Sequence, residues 1–509
     1  MNLSENSKKY QYPERGVLAA PLELASRASD VEESQKYRSM FMRDRDRILY
    51  SKAFRRLSGK TQIYISGSSD HCRTRLTHTL EVSQIARTIS NALGLDSDLT
   101  EAIALGHDIG HTPFGHAGER MLHKILSPIF TDGSQNNEKE DNISIVLDKA
   151  QIEEYQKGQY FGFKHNLQSV RTSVDIENNY CGLGLNLTNY TLWGMYFHSG
   201  SKYKEGSVDP QFSEPDFYNK YNNYMSINNR VQNNAKLDNI GKNMAWSFEA
   251  YVVRVADEIA QRHHDLEDAV RSKAISQREI CNLLSKHLKN LMKNKEEIDE
   301  LKKMIIQNRE GYFLPFMSHI VVNTLVDVLI DSSKENMEFL IDKYKIKKEN
   351  ATDFFYNHEH SQEDIDGTIS YVKFSDDKKI KNNIKRHIND FKSVISQKIL
   401  NSYDVQRSDT KGKYIIQKLF DAYFNNPQQL PDHVIEAYLL YVQEYKKMES
   451  IQRIIHQKGI GLVRAKFVEY HKKNFNKSVP MIKLRRVICD YIAGMTDTYA
   501  ISEYKKLYE

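Results

Sequence analysis

The chain has 509 residues, with 72 Lys and Arg against 67 Asp and Glu, a formal net charge of +5, 40% hydrophobic residues and 27% charged ones. This excludes a disordered chain, and the small net charge does not by itself indicate nucleic-acid binding. The length allows one large globule or up to about three or four ordinary domains.

Four separated cysteines, Cys72, Cys181, Cys281 and Cys489, form no C-x-x-C pair. They argue against a disulfide scaffold or a cysteine-ligated zinc site and fit a reducing cytosol. The start, "MNLSENSKKYQYPERG", lacks an apolar run after its basic residues, so no signal peptide is expected. No uninterrupted apolar stretch approaches the roughly 18 residues of a membrane span. The expectation is a soluble cytoplasmic protein without a membrane partner.

Residues 1–38 read as a polar arm, flexible or loosely docked. Helical periodicity begins in "FMRDRDRILYSKAFRRL", where Ile48, Phe54 and Leu57 are suitably spaced. "LTHTLEVSQIARTISNALGL" predicts a clearer helix, apolar along Leu80, Ile85, Ile89 and Leu93, with Gly94 as its stop. Ser97 or Asp98 then caps the helix of "SDLTEAIALGHDIG". Residues 130–142, "FTDGSQNNEKEDN", predict a polar break or insertion. "FKHNLQSVRTSVDI" predicts a helix, and "CGLGLNLTNYTLWGMYFHSG" a glycine-rich loop leading into an apolar helix. No element is assigned to the Asn- and Tyr-rich stretch 200–240. "MAWSFEAYVVRVADEIAQRHHDLEDAV" predicts a central buried helix, followed by long polar helices including "CNLLSKHLKNLMKNKEEIDELKKMI". "GTISYVKF" predicts a short strand, and a last helical region runs from "PDHVIEAYLLYVQEYKK" to "DYIAGMTDTYAISEYKKL". With no internal repeat and no Pro/Gly-rich linker, residues 39–509 read as one large, mainly α unit.

"GHDIGHTPFGHAGE", residues 106–119, concentrates three histidines, an aspartate and a glutamate among four glycines. Imidazoles and carboxylates are ligands for divalent metals. His107 and Asp108 are neighbours, whose side chains on one helix point roughly 100° apart. They converge on one ion only at a helix end or crossing, where Gly106 and Gly110 permit close backbone approach. His78, on the preceding helix, and Asp257, on the central one, are the candidate distant partners.

The order H…HD…D across helical segments resembles the HD-domain metal-dependent phosphohydrolases. A fuller set of motifs resembles their deoxyguanosine triphosphate triphosphohydrolase branch: "RDRDRILYSKAFRRLSGKTQIY", "RTRLTHTLEVSQIAR", "ALGHDIGHTPFGHAGE", "HNLQSVR", "GLNLTNYTLWG" and "DYIAGMTDTYAISEYKKL". The similarity extends from about residue 40 to the carboxyl end and is densest over 43–119 and 245–269. It implies a helical HD core with additional helical segments. It also implies hydrolysis of dGTP, or another dNTP, to a deoxynucleoside and inorganic triphosphate.

The resemblance implies metal ligands His78, His107, Asp108 and Asp257, and an acid–base pair of His116 and Glu119. His111 is not assigned as a ligand. Arg75 becomes a phosphate contact, its guanidinium fork matching phosphate oxygens, and Gln62 a contact to the sugar or its 3′ hydroxyl. Asn166, Gln168 and Asn186 fall in the implied nucleotide pocket, while Tyr251 packs on a sugar or base or in the core. The family's "ADDIAY" is here "ADEIAQ", so Glu258 and Gln261 depart from the pattern although Asp257 is kept. His2Asp2 ligation suits Mn, Fe, Co, Ni or Zn; the family points to Mn2+ or Mg2+. Family precedent also implies a homo-oligomer, with a hexamer as one form, and single-stranded DNA as a candidate effector. Two other functions compete: a different HD phosphohydrolase or phosphodiesterase, and a non-catalytic nucleotide- or single-stranded nucleic-acid-binding protein using the Lys-rich stretches near 292–304 and 483–486.

Overall fold

Many helix starts are encoded by a short polar side chain that accepts from a backbone N–H in the first turn. Ser39, Ser51, Thr74, Thr188 and Ser247 do this, and Ser276 with Glu279 forms a reciprocal capping box. The computed structural model describes residues 15–29, 37–62, 73–130, 145–147, 161–177, 184–199, 214–227, 244–307, 309–357, 360–400, 402–442, 460–474 and 478–509. The polar break expected at 130–142 lies outside these residues except for Phe130.

The amino-terminal helices are α1 (Met40–Leu49), α2 (Lys52–Arg56), α3 (Arg75–Ala92), α4 (Ser97–Gly106) and α5 (Gly115–Leu126). They are followed by α6 (His165–Arg171), α7 (Asn189–Phe197), α8 (Glu214–Met225) and the central α9 (Phe248–Arg271). Next come α10 (Gln277–His287), α11 (Glu297–Ile306), α12 (Glu310–Tyr344), α13 (Ala351–Asn357), α14 (Gln362–Thr368) and α15 (Lys378–Leu400). The last are α16 (Tyr403–Asn425), α17 (Asp432–Val442), α18 (Ile460–Asn474), α19 (Ser478–Ala493) and α20 (Asp497–Tyr508). Among the described residues the β-structure with a ladder is a parallel pair, β1 (Pro128–Phe130) beside β2 (Ile145–Leu147). The protein is mainly α, as its periodicity predicts.

Two apolar cores organise these helices. α9 packs on α3, α4, α7 and α12, and α1 covers α4. Phe41, Ile48, Val82, Ile103, Val252 and Ile259 are among the residues filling this core. The second core forms between α5 and the carboxyl-terminal helices, with Leu122 and Ile125 against Ile416, Leu419, Ile435 and Ile488. The turn from α4 to α5 runs between the two.

Several local expectations are corrected. Asp96, not Ser97 or Asp98, caps α4, accepting from Asp98 N and Leu99 N at 2.9 Å each. Residues 15–29 of the expected loose arm are docked: Leu18 and Ala20 are buried, and Ala20 N donates to Glu249 Oε1 at 3.1 Å. "GTISYVKF" is not a strand. Its backbone is satisfied largely by side chains of α12: Asn336 Nδ2 donates to Gly367 O, Thr368 O and Val372 O while its Oδ1 accepts from Phe374 N, Ser332 Oγ donates to Tyr371 O, and Ser333 Oγ accepts from Ser370 N. The polar segment from Cys281 to Ile305 breaks into α10 and α11, because Leu288 and Met292 turn inward to the core. α8 occupies part of the unassigned stretch 200–240. Finally, α12 carries an 18-residue window with mean hydropathy 1.7, long and apolar enough to cross a membrane, although none was legible as an uninterrupted run. In the fold it buries Phe313, Met317, Ile320, Val321, Leu325 and Leu329, and packs on α9 and α11.

Candidate active site

His78 lies one turn into α3, His107 and Asp108 directly follow α4, and Asp257 lies near the middle of α9. The close packing of α3, α4 and α9 brings the four together. His78 Nε2 is 3.0 Å from Asp257 Oδ1, and His107 Nε2 is 3.9 Å from that oxygen and 3.6 Å from Asp108 Oδ1. The tautomer of His107 follows from its partner. Nδ1 lies 2.6 Å from Ala104 O, a carbonyl that can only accept, so Nδ1 carries the proton and Nε2 presents its lone pair inward. That Nε2 is buried without a hydrogen-bond partner. One ligand atom from each of His78, His107 and Asp108 lies within 4.8 Å of the others. Two imidazoles with inward nitrogens and two carboxylates therefore fit a divalent ion of borderline character.

Glycine makes the close approach possible. A Cβ on Gly110 would stand 2.2 Å from Ser169 N and 2.4 Å from His165 O, so the turn after Asp108 lies directly against α6. Ser169 Oγ fastens the contact, accepting from Gly110 N at 3.0 Å and donating to His107 O at 2.7 Å. The next helix starts at Gly115 rather than at Pro113, and its cap residue Phe114 is left-handed, with φ 60°. Phe114 N donates to Asp497 Oδ1 at 2.9 Å, and Thr61 Oγ1 donates to the other oxygen of that carboxylate. The buried Lys60 ammonium reaches His111 O and, at 2.8 Å, Ala493 O. The carboxyl-terminal helices thus hold the active-site turn.

Electrostatics keep the carboxylates charged. Burial opposes ionisation of Asp108, but the imidazoles of His107 and His111 and the Arg75 guanidinium outweigh it and hold the carboxyl well below its usual range. Burial likewise opposes ionisation of Asp257, whose pKa is lowered by His78 and then His107. Arg75 Nη1 lies 2.6 Å from Asp108 Oδ2, so this arginine touches the centre itself. Gly115 brings Gln62 alongside: a Cβ there would be 3.4 Å from Arg75 Nη2 and 3.6 Å from Gln62 O. Gln62 Oε1 is buried without a partner.

His116 and Glu119 face each other from successive turns of α5, but loosely, with 3.8 Å between His116 Nδ1 and Glu119 Oε1. The His116 side chain is 52% exposed whereas that of Glu119 is 1% exposed. Glu119 is bound more tightly to His165, which sequence reasoning passes over. Its Oε2 accepts from His165 Nδ1 at 2.5 Å and from His165 N at 2.9 Å, and Lys164 Nζ lies 3.5 Å from Oε1. Against the cost of burial, His165 and His116 keep Glu119 well below the normal glutamate range. His198, also passed over, stands at the end of α7 with its ring 5.0 Å from that of His107. The available signals were weak: His165 adjoins the chosen Asn166, and His198 is one histidine after an apolar helix.

The remaining polar candidates are placed as follows. Asn166 Nδ2 donates to Tyr196 O and Ser199 O, and its Oδ1 is buried without a partner. Gln168 Nε2 donates to Asp490 Oδ1 at 3.0 Å, again with a free buried oxygen. Asn186 exchanges both amide atoms with the Ser29 backbone, so it tethers residues 15–29 rather than offering a free group. Tyr251 donates to Asp366 Oδ1 at 2.7 Å and lies against Phe197. Glu258 pairs with Arg262 at 2.9 Å. Two arginines of α1 are also engaged within the protein: Arg47 donates to Leu185 O and Asn186 O, and Arg45 pairs with Asp46.

This helical core, with buried imidazoles and carboxylates converging at the His107–Asp108 turn, is that of a metal-dependent phosphohydrolase of the HD-domain class. The HD domain matches residues 75–159, and the phosphohydrolase-associated domain matches residues 379–457 and 462–506. A deoxyguanosinetriphosphate triphosphohydrolase-like protein of Bartonella henselae is 30% identical over 516 residues, covering 100% of this chain and 98% of its own length. One from Bartonella quintana is 31% identical over 503 residues, covering 98% and 97%. A third, from Leptospira interrogans, is 29% identical over 480 residues, covering 94% and 91%. The chain belongs to the deoxyguanosine triphosphate triphosphohydrolase family of HD-domain phosphohydrolases.

Proposed function

We propose that this enzyme hydrolyses deoxynucleoside triphosphates, dGTP foremost, to deoxynucleoside and inorganic triphosphate. The observation that carries the reading is the convergence of His78, His107, Asp108 and Asp257, with the Glu119–imidazole cluster next to it. The substrate follows from the names of the relatives. His78, His107, Asp108 and Asp257 hold the ion, Mn2+ or Mg2+. When bound, that ion supplies Lewis acidity toward a phosphoryl group.

The protein's own groups do the rest. Arg75 keeps one arm on Asp108 and turns its remaining N–H groups to phosphate oxygens, offsetting charge where it grows. Glu119 is the buried anchor that faces His116 across 3.8 Å. His116, at the exposed end of the pair, exchanges a proton with water or with the departing 5′ oxygen. The free Oε1 of Gln62 accepts from a sugar hydroxyl, and Gln168 and Asn166 contribute their free oxygens to the pocket wall. A cytoplasmic homo-oligomer with single-stranded DNA as effector belongs to the same reading.

The test is a dNTP panel on metal-stripped protein, repeated after adding Mn2+ or Mg2+, with phosphorus NMR of the products. Intact triphosphate, released only with metal, is the expected result. Orthophosphate or pyrophosphate points to another HD phosphohydrolase. Salt-dependent single-stranded DNA binding without turnover points to a binding protein.

A further inference from the structure

His264 lies on α9 about two turns beyond Asp257, on the same face of the helix. Its ring centroid stands 5.3 Å from that of His78, with the rings inclined at 67°. Both residues are buried, each 1% exposed. On its outer side His264 Nε2 bonds to Glu81 Oε2, an oxygen that His263 Nε2 also approaches at 3.1 Å. Glu81 follows His78 by one turn of α3. Arg73 steadies it, with Nε 3.6 Å from Glu81 Oε1 while Nη2 pairs with Glu267 at 2.9 Å. These contacts join α3 to α9 alongside the proposed metal ligands.

The proton positions follow from these partners. Against the cost of burial, the bonds from His263 and His264 hold Glu81 well below the usual carboxylate range. An ionised carboxylate only accepts, so His264 Nε2 carries the ring proton. Burial disfavours a second proton and lowers His264 to about 3, which leaves a bare lone pair on Nδ1. That nitrogen is buried without a partner, and so is Nδ1 of His78. His78 directs Nε2 at Asp257 Oδ1, 3.0 Å away, and so toward the proposed ion. An imidazole nitrogen that binds a metal uses its lone pair, so the ring proton of a ligating His78 sits on Nδ1. One ring then has a buried donor without an acceptor, and its neighbour a buried acceptor without a donor. Glu81, His263 and His264 also bring ligand atoms within 4.8 Å of one another. An ion held by those three is a poorer fit, because it would move the ring protons of His263 and His264 to Nδ1 atoms that have no acceptor.

We infer that His264 is a positioning residue for the metal site, its Nδ1 accepting from His78 Nδ1–H when His78 Nε2 serves as a ligand, with Glu81 as the anchor that aims its ring. The inference rests on the reading of His78, His107, Asp108 and Asp257 as a metal site. The Glu81–His264–His78 relay fixes the tautomer and orientation of His78 and raises its basicity, as an acceptor on a ligand's far nitrogen commonly does. A small turn of either ring closes the bond from the 5.3 Å centroid spacing. His264 touches neither ion nor substrate in this role, so its loss weakens metal binding without removing a ligand.

The experiment is equilibrium dialysis of the full-length, metal-stripped protein against a Mn2+ series, with manganese per chain measured by plasma mass spectrometry. His264→Leu, which removes the acceptor, is expected to weaken Mn2+ binding about 10–100-fold. His264→Asn, whose amide oxygen takes the place of Nδ1, should recover most of that loss. If His264→Leu loses its circular dichroism spectrum, Glu81→Ala serves instead, since it unties the His264 ring and should weaken Mn2+ in the same direction. A folded His264→Leu or Glu81→Ala protein with wild-type Mn2+ affinity overturns the inference and leaves the ligand set intact. So does a His264→Asn protein that binds no tighter than His264→Leu, because an amide does not restore a ring that only fills space. A wild-type chain that binds no manganese overturns the metal site and the inference together.

Discussion

Replacing Gly110 with alanine probes the contact that sets the whole site. The added methyl would stand 2.2 Å from Ser169 N, 2.4 Å from His165 O and 2.5 Å from Gln168 C, whereas ordinary contact begins at 3.4 Å. All three obstacles are backbone, so no side-chain rotation relieves them. Gly110 is not among the positive-φ residues, so the effect is steric and not conformational. The turn and α6 must separate by roughly 1 Å, a displacement that can lower a rate about 100-fold. Overpacking of this kind costs about 1–3 kcal/mol of stability. We therefore expect Gly110→Ala to fold, to lose about 1–3 kcal/mol in a denaturant titration, and to lose phosphohydrolase activity about 100-fold. Gly311→Ala is the control: nothing lies within 4 Å of its added methyl, and α12 should gain up to about 1 kcal/mol. A Gly110→Ala protein matching the wild type in both stability and rate would refute the argument that this contact positions the site.

Asp257→Asn removes the charge nearest His78 and should abolish retention of added metal while preserving the helical circular dichroism; unchanged metal content would remove Asp257 from the ligand set. Glu119→Gln should lower turnover by about 100-fold or more and alter the pH–rate profile, whereas an unchanged profile would reduce Glu119 to a packing residue. In the metal-free protein, burial lowers His198 and His264 to about 3, against about 6.5 in an unfolded chain. A folded pKa below the unfolded one means that this stability is complete above about pH 6.5 and is lost as pH falls toward about 3. Tm should therefore fall through this window, and a flat Tm from about pH 7 to pH 4 would contradict it. Asp497→Ala leaves the buried Phe114 N–H unsatisfied, which should cost about 1–3 kcal/mol, read as a lower denaturant midpoint.

The helical class and the central helix through Asp257 were legible in the sequence, because 3.6-residue periodicity acts over a few neighbouring residues. Spacing also raised His107, Asp108, His116 and Glu119 as a group, and the close approach at Gly110 could be anticipated from glycine alone. The partners could not be found this way. Glu119 lies three residues from His116, yet its shortest contacts are with His165, 46 positions away. "GTISYVKF" has strand-like composition, but Asn336, Ser332 and Ser333 of α12, distant in sequence, satisfy much of its backbone and remove the need for a ladder. Asn186, placed in the nucleotide pocket by resemblance, proves to be an internal tie, because a side chain's partner is set by which helices pack together. Local sequence thus determined which groups exist and which segments are helical. Only the crossing of α3, α4, α6, α7 and α9 decided which nitrogens and oxygens meet, since burial leaves each polar atom only the partners that the packing brings within reach.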